Sequence, residues 1–445
     1  MGTSPIAEPD WPPLTTEEIN NVLREGNSWD GHPDDAAPGH FGPHPPRAMP
    51  KPGGPGGFRT ERSGGAKRGR EESALGWPWP AAAELGSVEG RSWSDRAEKP
   101  SDRPVEVKRG AADCRSEAEA EGIAIEWHSP RPLSTTALVR FADRTRQVVK
   151  RVPVALRAAD ALAEEHAFMD HVRAQGIPVP EVWSYTGAEF SYEFQVPGAG
   201  ADRYRDAFSW SPYLSCEHAG AAGAMLARIH CAAEDYDAPE RPLRPLQSAL
   251  CTDPVVAVER HIAARPALAE FLAERDWRAD LRAASAPSTV DLSGLKPLWT
   301  HNDWHGTNLL WHDDEITAVL DFGLADRTTA VFDIATAIER FAIDWLALRR
   351  GEPVRIHTRQ LGSFLRGYRG VRPMTERERV ALPEIFPLVH IHYELSEIDY
   401  FCSVLARPNR ENAEIAYRSY FLGHLRWSAS KQGRDFRALL GELSH

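Results

Sequence analysis

The chain has 445 residues, and its 64 Asp and Glu outnumber its 52 Lys and Arg, which leaves a net charge of −12. An acidic chain without a Lys/Arg stripe disfavours nucleic acid as a partner, and no apolar run approaches the length needed to span a membrane. The five cysteines lack the paired spacing of a zinc site or a disulfide framework, which favours a reducing compartment. We therefore expect a cytoplasmic protein that binds neither nucleic acid nor membrane.

The first predicted element is a short helix within residues 1–27. Thr15 and Glu18 stand three positions apart, as in a capping box. From residue 28 to 122 the composition changes to Pro, Gly, Ala and charged residues, which bury too little surface to offset the entropy of ordering. We predict a disordered insertion over 28–122. Two interpretations of the helix stay open: it belongs to the domain that follows, or all of residues 1–122 form an unstructured tail.

Residues 123–197 are predicted to form a small domain that consists mainly of strands. Five strands are expected in it, at 123–128, 136–141, 146–152, 182–187 and 190–195. A helix that begins near Leu162 and ends near Ala174 separates the third strand from the fourth.

Residues 198–445 are predicted to be mainly helical. A helix of small and apolar residues runs from His218 to His230, and His230 is expected to pack at its end rather than to bind a ligand. Two apolar stripes at helical spacing follow, over 334–348 and over 391–405. Beside the second stripe, the carboxylates of Glu394 and Glu397 are placed either to receive an ammonium group or simply to face solvent.

Two motifs in the helical region carry the chemistry. Asp303 is followed five positions later by Asn308, and Asp321 begins an Asp-Phe-Gly turn thirteen residues after Asn308. A phosphoryl group that leaves through a loose transition state needs position and charge rather than covalent bonds. One carboxylate orients or accepts the proton of the attacking hydroxyl, while an amide and a second carboxylate offer the hard oxygen ligands that Mg²⁺ prefers. Asp303, Asn308 and Asp321 fit these roles in chain order.

The sequence between the two motifs predicts a β-hairpin. Residues 309–311 are apolar, residues 312–315 are polar and turn-like, and residues 316–320 alternate and are rich in β-branched side chains. Such a hairpin would place Asn308 before one strand and Asp321 at the end of the next, within reach of one metal cluster. Either motif alone could arise by chance, but both at this separation favour a phosphoryl-transfer site.

With these motifs the chain resembles the aminoglycoside phosphotransferase and choline-kinase-like family of small-molecule kinases, over about residues 123 to 430. His301-Asn302-Asp303 is similar to the family's His-Gly-Asp, and His305-Gly306-Thr307-Asn308 is similar to its His-Pro-Gly-Asn. Phe332-Asp333-Ile334-Ala335 is similar to the family's Tyr-Asp-Leu-Ala, in which the Asp braces the catalytic loop.

The resemblance implies an α+β, protein-kinase-like fold with two lobes. Residues 123–197 would form a small N-lobe with an antiparallel sheet and a helix, and residues 198–445 a mainly helical C-lobe. Asp303 would be the catalytic base, Asn308 and Asp321 the metal ligands, and the cofactors ATP (or GTP) and Mg²⁺.

The resemblance also implies a lysine that binds the nucleotide. Residues 147–151 resemble the strand that carries it, which identifies Lys150, and Glu165 is the expected ion-pair partner, with Glu164 as the alternative. A Lys directed at phosphates needs such a counter-charge, because it is a flexible point charge. One departure from the family is the loop expected to cover the phosphates at residues 129–139, which contains no Gly.

The favoured function is ATP-dependent phosphorylation of a hydroxyl group on a small, amine-bearing molecule, either an antibiotic or a metabolite. A protein kinase is disfavoured, because the eleven residues between Asp321 and Asp333 are too few for an ordered activation loop. A catalytically inactive binding or regulatory protein of the same fold is the alternative from another class. It would be expected to have lost at least one of the residues assigned above, and all are present. The identity of the acceptor and the oligomeric state stay open.

Overall fold

The computed structural model describes residues 10–27, 122–129 and 135–444, except residues 286 and 288. The predicted insertion over 28–122 lies outside the described residues apart from Gly122, so its disorder stays a prediction. The loop expected to cover the phosphates is described only at its two ends.

The small lobe is a five-stranded antiparallel sheet in the order β1-β2-β3-β5-β4. All five predicted strands are confirmed to within two residues at each end, as β1 Ala124–His128, β2 Thr135–Arg140, β3 Arg146–Pro153, β4 Val182–Thr186 and β5 Phe190–Gln195. The predicted helix that follows β3 is also confirmed, as α2 Ala159–Ala174. β3 lies at the centre of the sheet, where it pairs with β2 on one side and β5 on the other. Lys150 therefore projects from the most constrained strand of the lobe.

The predicted N-terminal helix is α1, Thr16–Asn27, and it packs on this sheet. Its apolar residues Ile19 and Val22, with Leu14 just before the helix, are buried in one cluster with side chains of β2, β3 and β5. The Oγ1 atom of Thr15 accepts a hydrogen bond from the Glu18 amide at 3.1 Å, as the capping pattern predicts. The Glu18 carboxylate accepts hydrogen bonds from Arg151 on β3, at 2.8 Å. The interpretation of α1 as part of the domain is therefore the correct one.

The described part of the large lobe contains the remaining helices and two pairs of short strands, β6 with β9 and β7 with β8, around the loop that carries Asp303. The strands are β6 Pro297–Thr300, β7 Leu309–His312, β8 Glu315–Val319 and β9 Asp326–Thr329. The helices are α3 Cys216–Ala232, α4 Pro254–Ala264, α5 Pro266–Ala273, α6 Trp277–Ala283, α7 Ala330–Ala342, α8 Trp345–Arg349, α9 Thr358–Val371, α10 Glu376–Ile385, α11 Ile391–Ser403, α12 Arg410–Ile415, α13 Leu422–Ala429 and α14 Lys431–Leu443. In the part of the chain that the structure describes, no helix combines the length and apolar character of a membrane span.

The centre of the large lobe is the pair of helices α3 and α9, which approach each other closely through glycines. A Cβ atom at Gly223 would lie 2.0 Å from the carbonyl oxygen of Phe364, and one at Gly367 would lie 2.0 Å from that of Gly220. Side chains at these positions would therefore force the two helices apart. The prediction of a buried helix of small residues is confirmed, and α3 extends it by two residues at each end.

The spacing of the apolar stripe over residues 334–348 indicates a single helix, but in the structure the stripe is divided between two helices. Helix α7 ends at Ala342, and α8 begins at Trp345 after Ile343 adopts an extended conformation. The reason is local: Asp344 accepts a hydrogen bond from the Ala347 amide at 3.1 Å and so caps a new helix. Helical spacing alone does not reveal such a break, because the stripe continues across it.

Candidate active site

The predicted catalytic loop, residues 301–305, connects β6 to a short 3-10 turn that ends at Asn308. Asp333 in the first turn of α7 holds this loop, because its carboxylate accepts hydrogen bonds from the amides of His301 and Asn302, both at 2.9 Å. The predicted bracing by Asp333 is therefore confirmed. His230 at the end of α3 is buried, as predicted, and its Nε2 lies 3.0 Å from the Asp333 carboxylate.

Asn302 occupies the position of the family's glycine, and its backbone explains that choice. Its φ is +59°, in the left-handed region that L-residues rarely adopt. Asn and Asp tolerate this region better than other non-glycine residues. Asp321 is the second such residue of the site, with φ +58°. Both residues therefore have a backbone conformation that non-glycine residues adopt at a modest cost.

The predicted hairpin is confirmed as the pair of antiparallel strands β7 and β8. Leu309 opposes Val319 in its register, so Asn308 and Leu320 lie side by side, with a hydrogen bond of 2.9 Å between the Leu320 amide and the Asn308 carbonyl. Asp321 follows directly. The hairpin thus brings Asn308 and Asp321 to one end of the same strand pair, as the separation of the motifs predicts.

The Asp303 carboxylate is surrounded by donors. Arg340 on α7 lies 3.2 Å from Oδ1, His305 Nε2 lies 3.3 Å from the same oxygen, and Asn308 Nδ2 donates to Oδ2 at 3.1 Å. Burial opposes the charge of Asp303, but His305 and Arg340 outweigh it and hold its pKa well below the usual value. Asp303 is therefore a carboxylate at every physiological pH. The sequence offered no signal for Arg340, which comes from a helix 37 residues further along.

Lys150 forms its ion pair with Asp321, with 3.0 Å between Nζ and Oδ1. Burial opposes the charge of Lys150, but Asp321, together with Glu193 and Glu165, raises its pKa above the usual value. Burial likewise acts against the charge of Asp321, and Lys150 more than offsets it, so the pKa of this carboxyl is lowered. Both groups are therefore charged.

The expected ion pair between Lys150 and Glu165 is wrong for this structure. The Glu165 carboxylate lies 2.6 Å from Arg157 Nε and 2.8 Å from Arg241 Nη2, and all three side chains are buried. Planar guanidinium groups match a buried carboxylate better than an ammonium group does. The alternative, Glu164, pairs with Arg241 and Arg244 instead. Isolated arginines after β3 and before α4 have no local pattern that would have revealed this network.

The predicted site residues meet at one cleft between the two lobes. The cleft is open to solvent, and about 740 Å³ of empty space, which includes open solvent at its mouth, lies within its walls. Its wall includes Lys150, Glu165, Asp303 and Asp321, together with Arg157, Glu193 and Tyr393. Asn308 is not part of the wall but contacts Asp303 directly. The cleft therefore combines a fixed carboxylate, a lysine and a second carboxylate, the arrangement that phosphoryl transfer requires.

Glu394 and Glu397 on α11 are not on a solvated helix face. Glu394 is 2% exposed and Glu397 is fully buried. Burial raises the pKa of Glu394 to about 8. Neither residue lines the cleft, and Glu394 faces a separate small cavity behind Tyr393. The interpretation as ordinary surface charge is therefore wrong, and direct contact with a molecule in the cleft stays a prediction.

Comparison with known proteins gives a match to one family model, described as the phosphotransferase enzyme family, over residues 133–380. Among curated proteins, the homoserine kinase of Polaromonas naphthalenivorans is 27% identical over 223 residues, which are 49% of this chain and 64% of that enzyme. The match thus spans just under two thirds of its length. The homoserine kinase of Methylobacillus glycogenes is 28% identical over 251 residues, 54% of this chain and 71% of that enzyme.

A solved structure of an amicoumacin kinase in complex with AMP-PNP, Ca²⁺ and Ami is similar to this chain with a TM-score of 0.43 and 14% identity. The similarity covers 69% of this chain and 88% of that kinase.

Proposed function

The chain belongs to the phosphotransferase enzyme family, and on that premise we propose that it is an ATP- and Mg²⁺-dependent kinase of a small, amine-bearing molecule with a hydroxyl group. The observation that carries the proposal is that Lys150, Asp303 and Asp321 line one cleft and that Asn308 contacts Asp303 directly. Each side chain has the charge state that its proposed role needs. All four residues are present, whereas an inactive protein of the same fold would be expected to have lost at least one of them.

The donor set fits a nucleotide with a hard divalent cation. The Asp321 carboxylate and the Asn308 amide oxygen are ligands of the kind that Mg²⁺ prefers. Asn308 uses its Nδ2 to hold Asp303, and no hydrogen bond of the described residues uses its Oδ1. When bound, the metal would neutralise charge on the phosphate oxygens. Lys150 would hold the phosphates, because its strand, β3, lines the cleft on the side of the small lobe.

Asp303 would orient the acceptor hydroxyl more than it would deprotonate it. Its low pKa, caused by His305 and Arg340, makes it a weak base. A loose transition state tolerates this, because little bond formation by the attacking oxygen precedes departure of the phosphoryl group. A fixed hydrogen-bond acceptor at this position nevertheless aligns the oxygen and takes its proton late in the reaction.

The acceptor is proposed to be small because the chain has no room for a protein-kinase activation segment. Between Asp321 and Asp333, strand β9 is paired with β6, and the chain then enters α7 directly. The acceptor is proposed to carry an amine for two reasons. Four of the six charged side chains that line the cleft are carboxylates, and two similar relatives are named as kinases of homoserine, an amino acid with a hydroxyl group.

A panel assay of ATP consumption tests the proposal. The panel should contain homoserine and other amino alcohols, aminoglycosides, macrolides and nucleosides, each at matched concentration with Mg²⁺. For every active compound, the analogue that lacks the amine is the matched control, and the Asp303→Asn variant reports contaminating activity. We expect at least one amine-bearing compound to be phosphorylated and its des-amino analogue to have a much higher KM. Equal KM values would contradict the amine requirement, and nucleotide binding without turnover of any compound would favour the inactive alternative.

A further inference from the structure

A second, small cavity lies behind the loop that carries Asp303, and its wall shares only Tyr393 with the wall of the cleft. Its wall includes Asn302 of the loop, Glu339 of α7, His390 and Glu394 at the start of α11, and His424 of α13. It has room for a single water-sized occupant. A cavity of this size cannot hold an organic acceptor, so its polar wall needs another explanation.

Three side chains of this wall are arranged like the ligands of a metal ion. One potential ligand atom from each of Glu339, His390 and His424 lies within 4.8 Å of the other two. The Glu339 carboxylate oxygen Oε1 is 2.9 Å from His424 Nδ1 and 3.9 Å from His390 Nδ1. Ligands of a tetrahedral ion with bonds of about 2.0–2.1 Å stand roughly 3.3 Å apart, so these distances need only small adjustments. All three side chains are more than nine-tenths buried.

The hydrogen bonds around the cluster leave Nδ1 of His390 unused, while Nδ1 of His424 shares with Glu339 Oε1 a hydrogen bond that a metal ion would replace. His390 Nε2 lies 3.1 Å from the carbonyl oxygen of Phe421, and donation to that oxygen leaves the lone pair of Nδ1 facing Glu339. This is the outer-sphere bond that commonly orients a metal-binding histidine. Among the described residues, His424 Nε2 and Glu394 Oε2 have no hydrogen-bond partner although both are buried. Buried polar atoms are rarely left unpaired, so an occupant of the cavity is the simplest account.

We propose that Glu339, His390 and His424 bind a divalent transition-metal ion of the zinc class, with the carboxylate of Glu394, which lines the same cavity, as a candidate fourth ligand. Two imidazoles and a carboxylate suit Zn²⁺ and its neighbours in the transition series. Mg²⁺ is unsuited, because it requires near-octahedral oxygen coordination. The site is therefore chemically distinct from the one proposed at Asn308 and Asp321.

Such an ion would cross-link the helices that pack behind Asp303. It would join α7, the start of α11 and α13, three helices that are far apart in the chain. Arg340, which pairs with Asp303, is the neighbour of Glu339 on α7. The ion would thus hold the helix that positions the charge partner of the catalytic carboxylate, without touching the reacting groups.

The test is metal binding by the full chain, purified without a histidine tag and stripped of metal, with no nucleotide present. We expect about one Zn²⁺ or Co²⁺ per chain, a rise in Tm on addition of either ion, and no competition from millimolar Mg²⁺. The Co²⁺ complex should show visible d–d bands of nitrogen and oxygen coordination without thiolate charge transfer. His390→Gln and His424→Gln should each abolish this binding, whereas Asp321→Asn, the matched control at the proposed Mg²⁺ site, should retain it.

Failure of the wild-type chain to take up stoichiometric Zn²⁺ or Co²⁺ would overturn the proposal. A water molecule would then be the occupant of the cavity. Thiolate charge transfer in the Co²⁺ spectrum would place the ion elsewhere and would also overturn it. These two readouts use the wild-type chain, so they decide the matter even if the buried variants do not fold. Neither readout depends on phosphoryl transfer, so a failure here is distinguishable from a failure of the proposed kinase activity.

Discussion

Lys150 Nζ lies 3.0 Å from Asp321 Oδ1. A cation on the central strand of the small lobe thus pairs with a carboxylate that follows the hairpin of β7 and β8 in the large lobe. Lys150 is the proposed phosphate ligand and Asp321 the proposed metal ligand. A nucleotide with its metal would therefore have to take the place of this contact, at least in part. The pair connects the two lobes in the same place where they are proposed to share a ligand.

Asp303→Asn should lower kcat by about 10²–10⁴-fold, the usual loss when a positioned acid or base is removed. The amide keeps the size of the side chain but cannot take the proton of the hydroxyl. Affinity for nucleotide should stay close to that of the wild type, because Asp303 is proposed to contact the acceptor. Steady-state kinetics and nucleotide titration measure the two quantities. Near-full turnover of the variant would remove Asp303 from its assigned role.

Asp321→Asn should abolish the Mg²⁺-dependent rise in Tm that ATP produces, and Lys150→Met should reduce it. Neither change should lower the stability of the ligand-free protein by more than about 1 kcal/mol, because partly exposed ion pairs contribute little. Thermal-shift titrations with ATP, with and without Mg²⁺, measure both effects. An undiminished shift in both variants would mean that nucleotide binds elsewhere.

Glu165→Gln should destabilise the protein by about 3–5 kcal/mol, because it leaves the buried guanidinium group of Arg157 without its carboxylate and removes one of the two carboxylates that pair with Arg241. Glu164→Gln is the matched control, since its side chain is 34% exposed against 6% for Glu165, and it should cost about 1 kcal/mol or less. Chemical denaturation measures the difference. If Glu165→Gln instead left stability unchanged and raised only the KM for ATP, its role would be that of a partner for Lys150.

Asp333→Asn should weaken the hydrogen bonds that hold the catalytic loop in place. One carboxylate oxygen becomes an amino group that faces a donor, either a loop amide or His230, at a cost of about 1–3 kcal/mol. Misplacement of Asp303 should then lower kcat by up to about 10²-fold. Asp344→Asn is the control on the adjoining helix, because Asn also caps helices well. Equal kcat values for the two variants would show that the loop keeps its position without Asp333.

Replacement of residues 28–121 by a short Gly/Ser linker should leave activity and Tm unchanged, since their composition predicts no core of their own. Deletion of residues 1–121 should instead lower Tm, because it also removes α1, whose apolar face and Glu18 pack on the sheet. The two variants differ in residues 1–27, which include this helix, and in the linker. A loss of activity in the folded linker variant would give the insertion a role that its composition does not predict.

The features that the sequence determined depend mainly on residues close together in the chain, although the local break between α7 and α8 was not among them. The five strands, the hairpin between Asn308 and Asp321, and the cap at Thr15 follow from alternation, turn residues and local hydrogen bonds. The bracing of the loop by Asp333 also followed, because the resemblance to a known family carried that long-range contact with it.

Only the tertiary structure decided which distant charges meet. The partner of Glu165 depends on where Arg241, 76 residues later, reaches the lobe interface. The ion pair of Asp303 with Arg340 and the burial of Glu394 depend on how α7, α11 and α13 pack. A carboxylate looks the same in sequence whether it faces water or a buried guanidinium. Its environment, and hence its charge and its role, is set by side-chain packing between elements that no local pattern connects.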